Sequence, residues 1–155
     1  MECFIGRYGA EIGLRRKLEK FISKQRLASM RTSSCIPVIC VIVEGGMNTI
    51  RTVLEYVTDS PPVPVIVIQG SGRAADLIAF AHKYSKTNEN GDEATLDEEL
   101  TDQLIAAIRS TFKVDRFLAD KLLIELLQCV RDKNLITIFG SSLSDNVTSP
   151  FFIEE

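Results

Sequence analysis

Tryptophan is absent and histidine occurs once, at His82. A metal site draws on several clustered nitrogen, sulfur or carboxylate donors, so a lone histidine without grouped acids argues against one. The four cysteines, Cys3, Cys35, Cys40 and Cys129, form no Cys-x-x-Cys pair. Zinc-ribbon and dithiol spacing is therefore missing. Cys40 and Cys129 lie in apolar runs and read as small core residues. Cys3 and Cys35 are candidate reactive thiols without a recognisable activating neighbour. The longest apolar run, 36–43, is interrupted by Pro37 and falls well short of the ~20 residues of a membrane helix. Met1-Glu-Cys-Phe4 leads into basic residues, not into the apolar stretch of a secretory leader. By itself the chain is expected to be soluble and cytoplasmic. Strong charge is lacking too. A net charge of −3 and a pI near 5.3 argue against general nucleic-acid binding. The Gly-x-Ser-x-Gly elbow, the P-loop and the Gly-x-Gly-x-x-Gly fingerprint are all missing, and Ser71 has no histidine at a recognisable spacing. No nucleophile–base pair supports catalysis.

What remains is ordinary globular material, 155 residues with 45% hydrophobic and 25% charged side chains. That length suits one domain with a real core. Charge is uneven. Residues 1–31 hold eight basic and three acidic side chains, a balance of +5 that leaves −8 elsewhere. The excess reads either as a solvated helix face or as a cationic surface beside a phosphate-bearing ligand or an acidic neighbour.

Residues 9–28 read as an amphipathic helix, with Leu14, Leu18, Phe21, Ile22 and Gln25 on one stripe. The run 36–43 is continuously apolar and β-branched, the pattern of a strand buried on both faces of a parallel sheet. Glu44-Gly45-Gly46 ends it, and Asn48 or Thr49 can cap a helix to about Thr58. Asp59-Ser-Pro-Pro62 is a turn. Residues 63–68 form a second buried strand, with Pro64 at its start or on an unpaired side. Gly70-Ser71-Gly72 ends that strand, and a helix follows over 73–84. Strand, glycine turn and helix thus occur twice in succession, the grammar of an α/β sheet with right-handed crossovers. Residues 85–95 read as an exposed, acidic, mobile loop. Helices are expected from Thr95 or Asp97 to about Thr111, and from Val114 or Asp115 to about Lys133. Apolar residues nearly encircle the second of these, which predicts a largely buried helix. A turn at 132–134 precedes a short strand, 135–139, and residues 140–155 read as a disordered tail.

Both glycine turns fall at the carboxyl ends of predicted parallel strands, where open α/β sheets bind ligands. Glycine lets a ligand approach the backbone, and each helix start offers free N–H groups that suit phosphate. Asn48 and Thr49 add side-chain donors, and Arg73 adds a guanidinium for bidentate anion contact. Asp76 is placed to pair locally with Arg73, or to meet a ribose. His82 reads as a partner of its helix's C-terminal dipole.

Several stretches resemble one family when taken together. They are Gly6-Arg-Tyr-Gly-Ala-Glu11, Leu14-Arg-Arg-Lys-Leu-Glu-Lys-Phe-Ile22, Pro37 to Gly46, Val53-Leu-Glu-Tyr56 and Pro61-Pro-Val-Pro-Val65. Gly70-Ser-Gly-Arg-Ala-Ala-Asp76, Ala79-Phe-Ala-His-Lys-Tyr84 and Leu135-Ile-Thr-Ile-Phe139 continue the series. The combination resembles the cytosolic N-terminal region of melastatin-type TRP (TRPM) cation channels over roughly residues 5–139. The resemblance implies a Rossmann-like, ligand-sensing domain of the SLOG (LSDAT) type. In some relatives this domain binds ADP-ribose-type nucleotides. It further implies that Gly45, Gly46, Asn48, Thr49, Gly70, Ser71, Gly72 and Arg73 line a pocket, and that Tyr8 stacks on a base. Related nucleotide hydrolases carry Gly-Gly-x-Gly-Thr-x-x-Glu, where this chain has Asn48 and Thr52. That departure argues against turnover. Met47 and Gln69 depart from a common proline and acid of the family.

The expected fold is a three-layer, Rossmann-like α/β domain. Its parallel sheet is incomplete on the N-terminal side, because Met1 falls midway through the family's domain. A helical pair is expected over 97–133. The partial SLOG-like domain is expected over 1–139, with a tail over 140–155. The expected function is ligand sensing and assembly on the cytoplasmic side of a homotetrameric TRPM cation channel that is itself integral to the membrane. The ligand would be ADP-ribose or a related nucleotide, bound without turnover, with no metal and no nucleic acid. The partners would be the rest of the channel polypeptide and neighbouring subunits. Two alternatives stand beside it. One is a structural subunit-contact domain with a vestigial pocket, and the other is a nucleotide phosphoribohydrolase.

Overall fold

The computed structural model describes residues 10–25, 36–87 and 93–140. The chain divides into two compact units, Met1–Val38 and Ile39–Glu155. The expectations for Tyr8, Cys3, Cys35 and residues 141–155 lie outside the described residues.

The first unit contains helix α1, Ala10–Ser23. It lies within the span expected from the Leu14, Leu18, Phe21, Ile22 stripe. Arg15 and Arg16 both reach Glu19, at 3.3 and 3.7 Å, one turn along the helix. Pairs at this helical spacing each add only about 0.3–0.5 kcal/mol.

The second unit runs β1 (Cys40–Ile42), α2 (Met47–Thr58), β2 (Val65–Ile68) and α3 (Arg73–Tyr84). It continues with β3 (Lys86–Thr87), β4 (Ala94–Thr95), α4 (Glu98–Phe112), α5 (Arg116–Cys129) and β5 (Ile136–Phe139), the last after a 3-10 turn at Lys133–Leu135. Strands β1, β2 and β5 form one parallel sheet in the order β1-β2-β5. This is the α/β, Rossmann-like arrangement that the repeated strand–turn–helix pattern predicts, and of the three layers expected the described residues of this unit supply two, the sheet and one layer of helices. Both crossovers step in the same direction, so right-handed connections put their helices on one face. Side chains alternate across a strand. The register aligns Cys40 with Val65 and Ile136, and Ile42 with Val67 and Ile138. These six face the helices, and Ile42, Val65, Val67 and Ile136 are buried there. Ile39, Val41, Val43 and Phe139 project from the opposite face, which no described element of this unit covers.

β2 and β5 begin a residue or two later than expected, at Val65 and Ile136, and four larger differences stand out. β1 is three residues rather than eight, because only Cys40–Ile42 find a partner on β2. Helix α2 starts at Met47 with Gly46 as its N-cap, in place of Asn48 or Thr49. The Thr49 hydroxyl oxygen accepts the Gly46 N–H at 3.1 Å, so threonine tightens the first turn from inside. The segment read as an open loop, 85–95, contains the antiparallel pair β3–β4, and Ala94 is buried. Lys86 Nζ bonds both Asp97 carboxylate oxygens at 2.8 Å across the base of this hairpin. Helix α5 ends at Cys129, short of Lys133, where the Asp132 side chain caps the 3-10 turn through the Asn134 N–H.

The core joins the sheet to α2, α3, α4 and α5. Ile50, Leu77, Ile78, Leu104, Ile108, Leu122 and Leu126 are its largest fully enclosed side chains. Cys129 is fully enclosed with them, as expected. Its thiol donates to the Ile50 carbonyl at 3.4 Å. Burial, with the nearby Glu125 charge, pushes that thiol up to about 12. Helix α5 is not buried all round, since Phe117 and Ile124 are 81% and 58% exposed.

Helix α4 ends at Lys113, which adopts the left-handed conformation with φ +53°. That position favours glycine. Removing the Cβ relieves about 1–2 kcal/mol, while glycine's extra unfolded-state entropy takes back about 0.5–1 kcal/mol. Lys113→Gly is therefore expected to raise the melting temperature by a few degrees (about 2–4 °C per kcal/mol for a chain this size). A lower melting temperature would mean that the lysine side chain holds this corner.

Candidate functional site

The two glycine turns lie side by side because β1 and β2 are adjacent and parallel. After β1 the chain turns sharply through Glu44 (φ +54°) and Gly45 (φ +91°). No side chain fits at Gly45. A Cβ there would sit 2.6 Å from Thr49 Oγ1 and 2.9 Å from Thr49 Cβ. After β2 the chain passes through Gly70 (φ +88°), Gly72 (φ +99°) and Arg73 (φ +51°) into α3. An arginine in this left-handed region costs about 1–2 kcal/mol.

Hydrogen bonds join the turns. The Ser71 hydroxyl donates to the Ile68 carbonyl at 2.7 Å and accepts the Glu44 N–H at 2.9 Å. In return, the Glu44 carbonyl accepts the Ala75 N–H at 2.8 Å, and the Gly45 carbonyl accepts the Ala74 N–H at 3.3 Å. Two first-turn donors of α3 are thereby used within the chain. The Gly70 N–H is used as well, donating to Asp76 Oδ1 at 2.7 Å. Asp76 thus closes its own turn in the structure, where the sequence suggested a local pair with Arg73. Aspartate bonding to nearby backbone is a known turn device, so the motif Gly70–Asp76 carried that signal. The Glu44 and Gly45 carbonyls leave no trace in side-chain patterns, and sequence reasoning missed them.

Arg73 is exposed and makes no ion pair among the described residues. Its Nη2 atom lies 4.0 Å from the point where a Cβ on Gly46 would sit. The guanidinium therefore hangs over the start of α2. There the N–H groups of Met47 and Asn48 have no intrahelical acceptor. The structure thus brings together Gly45, Gly46, Asn48 and Thr49 at one helix start with Gly70, Ser71, Gly72 and Arg73 at the next. A cation beside free backbone donors at a helix N-terminus can hold a phosphate or carboxylate. Among the described residues, no three His, Cys, Asp or Glu side chains group as metal ligands.

His82 sits at the far end of α3, with Nε2 3.4 Å from the Lys133 carbonyl oxygen. Burial lowers its pKa from 6.5. The hydrogen bond opposes that shift, and the Lys133 charge adds to it. A histidine with a lowered folded value contributes stability that is fully present above 6.5 and is lost as pH falls through the folded value. His82→Gln is expected to flatten the acid limb in melts taken between about pH 7.5 and 5. An unchanged limb would assign the acid sensitivity to other groups.

Residues 2–129 match the family described as SLOG in TRPM. The chain is 59% identical over 133 residues to the transient receptor potential cation channel trpm of Drosophila melanogaster, a match covering 86% of this chain and 6% of that protein. It is 46% identical over 135 residues to the human transient receptor potential cation channel subfamily M member 7, covering 87% of this chain and 7% of the relative. Subfamily M member 1 of Rattus norvegicus is 44% identical over 135 residues, with 87% and 8% covered. The chain spans less than a tenth of the length of these relatives. Among its described residues, no helix is long and apolar enough to cross a membrane.

Proposed function

The chain belongs to the family of SLOG domains of TRPM channels, and on that premise we propose that it is a ligand-sensing and assembly module on the cytoplasmic side of a tetrameric TRPM-type cation channel. The module binds a nucleotide-type phosphate ligand, of which ADP-ribose is the representative, and does not turn it over. One observation carries the reading. The turns after two adjacent parallel strands converge so that Arg73, which makes no ion pair among the described residues, overhangs Gly46 at the start of α2. Gly45, Gly46, Asn48 and Thr49 form one wall of the site, and Gly70, Gly72 and Arg73 form the other. Asn48 and Thr52 stand where the related hydrolases have glycine and glutamate, which supports binding without hydrolysis.

The test is a thermal melt of the chain with and without ADP-ribose. Ligand at 100 times its dissociation constant adds about 2.7 kcal/mol, a rise of roughly 5–11 °C at 2–4 °C per kcal/mol. A cooperative melt that ignores ADP-ribose would overturn the ligand reading. It would favour the second one, a subunit-contact domain with a vestigial pocket. That alternative has its own support: Ala74, Ala75 and Gly70 spend their N–H groups on the chain itself, and one sheet face of this unit stays apolar and open.

A further inference from the structure

Resting on the anion-site reading above, we propose that Ser71 is the positioning residue of this site, acting on the ligand through Arg73 and making no contact with it. A serine hydroxyl has one proton and two lone pairs. Here the proton goes to the Ile68 carbonyl, and one lone pair takes the Glu44 N–H. What remains is an acceptor, which repels phosphate oxygen. The hydroxyl is suited instead to tie the end of β1 to the turn after β2, across 27 residues of sequence.

The tie is reciprocal. Glu44 N–H comes to Ser71, and the Glu44 and Gly45 carbonyls go to Ala75 and Ala74. Arg73 lies in the chain between these attachment points, Ser71 before it and Ala74 after it. Its backbone is thus held on both sides in a conformation that a non-glycine residue keeps only when its surroundings over-determine it. Glu44 and Gly45, on the other side of the tie, share that left-handed region. Asp76 holds the outer end of the same turn through Gly70. The consequence is an Arg73 backbone set before any ligand arrives, which fixes where the side chain leaves the turn on its way over Gly46. Preorganisation of this kind raises affinity by removing part of the cost of ordering the group on binding.

The experiment uses the full chain with ADP-ribose as probe, titrated calorimetrically, and amide exchange of Glu44 followed by NMR without ligand. Ser71→Ala is expected to speed Glu44 exchange about tenfold or more and to weaken ADP-ribose about tenfold. Ser71→Thr, which keeps the hydroxyl, restores both. In an Arg73→Ala background, Ser71→Ala adds little further loss, because residues acting through one another are not additive. Two results overturn the positioning role while leaving the ligand reading intact: a Ser71→Ala loss that adds in full to that of Arg73→Ala, which is the mark of a direct contact, or unchanged Glu44 exchange. A folded wild-type chain that binds no ADP-ribose overturns both together.

Discussion

Arg73→Gly will leave the chain as stable as wild type, or up to about 1.5 kcal/mol more stable, and will remove about half or more of its response to ADP-ribose. The stability half follows from the backbone. Arg73 occupies φ +51°, where a Cβ costs about 1–2 kcal/mol, and glycine's greater unfolded-state entropy returns about 0.5–1 of that. The guanidinium is exposed and makes no ion pair among the described residues, so its removal costs the fold little. The binding half follows from charge. A hydrogen bond to a charged group contributes about 1.5–3 kcal/mol, a tenfold to hundredfold change in affinity. At an ADP-ribose concentration of 100 wild-type dissociation constants, the stabilisation of about 2.7 kcal/mol should fall to between about 1.4 and 0.4 kcal/mol. Paired thermal melts measure both halves. A full wild-type shift in Arg73→Gly would remove Arg73 from the site. A clear loss of ligand-free stability would show instead that the side chain braces the turn.

Leu122→Ala should cost about 2–5 kcal/mol, the range for a buried leucine whose neighbours only partly collapse into the space left. Leu122 is fully enclosed on α5, the helix that packs on α2, α3 and α4. A domain of this size has about 5–15 kcal/mol in total, so the midpoint should drop by roughly 4–20 °C at 2–4 °C per kcal/mol. Ile124→Ala, two residues along the same helix, serves as the contrast. Its side chain is 58% exposed, and exposed substitutions usually stay within about 0.5 kcal/mol. Chemical denaturation of the two variants measures the difference directly. Equal costs would mean that α5 buries its outer face too, against a surface outside this unit.

That pair shows where sequence reading reaches its limit. Leu122 and Ile124 look alike in a helix whose apolar residues run nearly all the way round. Only the packing of α2, α3 and α4 selects Leu122, Leu123, Leu126 and Cys129 for the interior and leaves Phe117 and Ile124 outside. The expected short strands at 36–43 and 63–68 have the same character. Their β-branched runs announced buried strands, but β1 kept only the three residues that find partners on β2.

The site divides in a similar way. Glycine at 45, 46, 70 and 72, an arginine at 73 and two strand–turn–helix units were legible from residue type and spacing, because positive φ, anion affinity and hydrophobic periodicity are properties of side chains and local backbone. Those properties determined the α/β class, the parallel order of the repeated units and the place of the two turns at one sheet edge. Tertiary structure alone decided that Ser71 faces Glu44, that the Glu44 and Gly45 carbonyls consume the first donors of α3, and that Asp76 serves Gly70 and not Arg73. Each of these is a bond to main-chain atoms, which every residue carries alike. Side-chain patterns cannot encode such partners, so they become determinate only when the adjacent strands bring the two turns within reach.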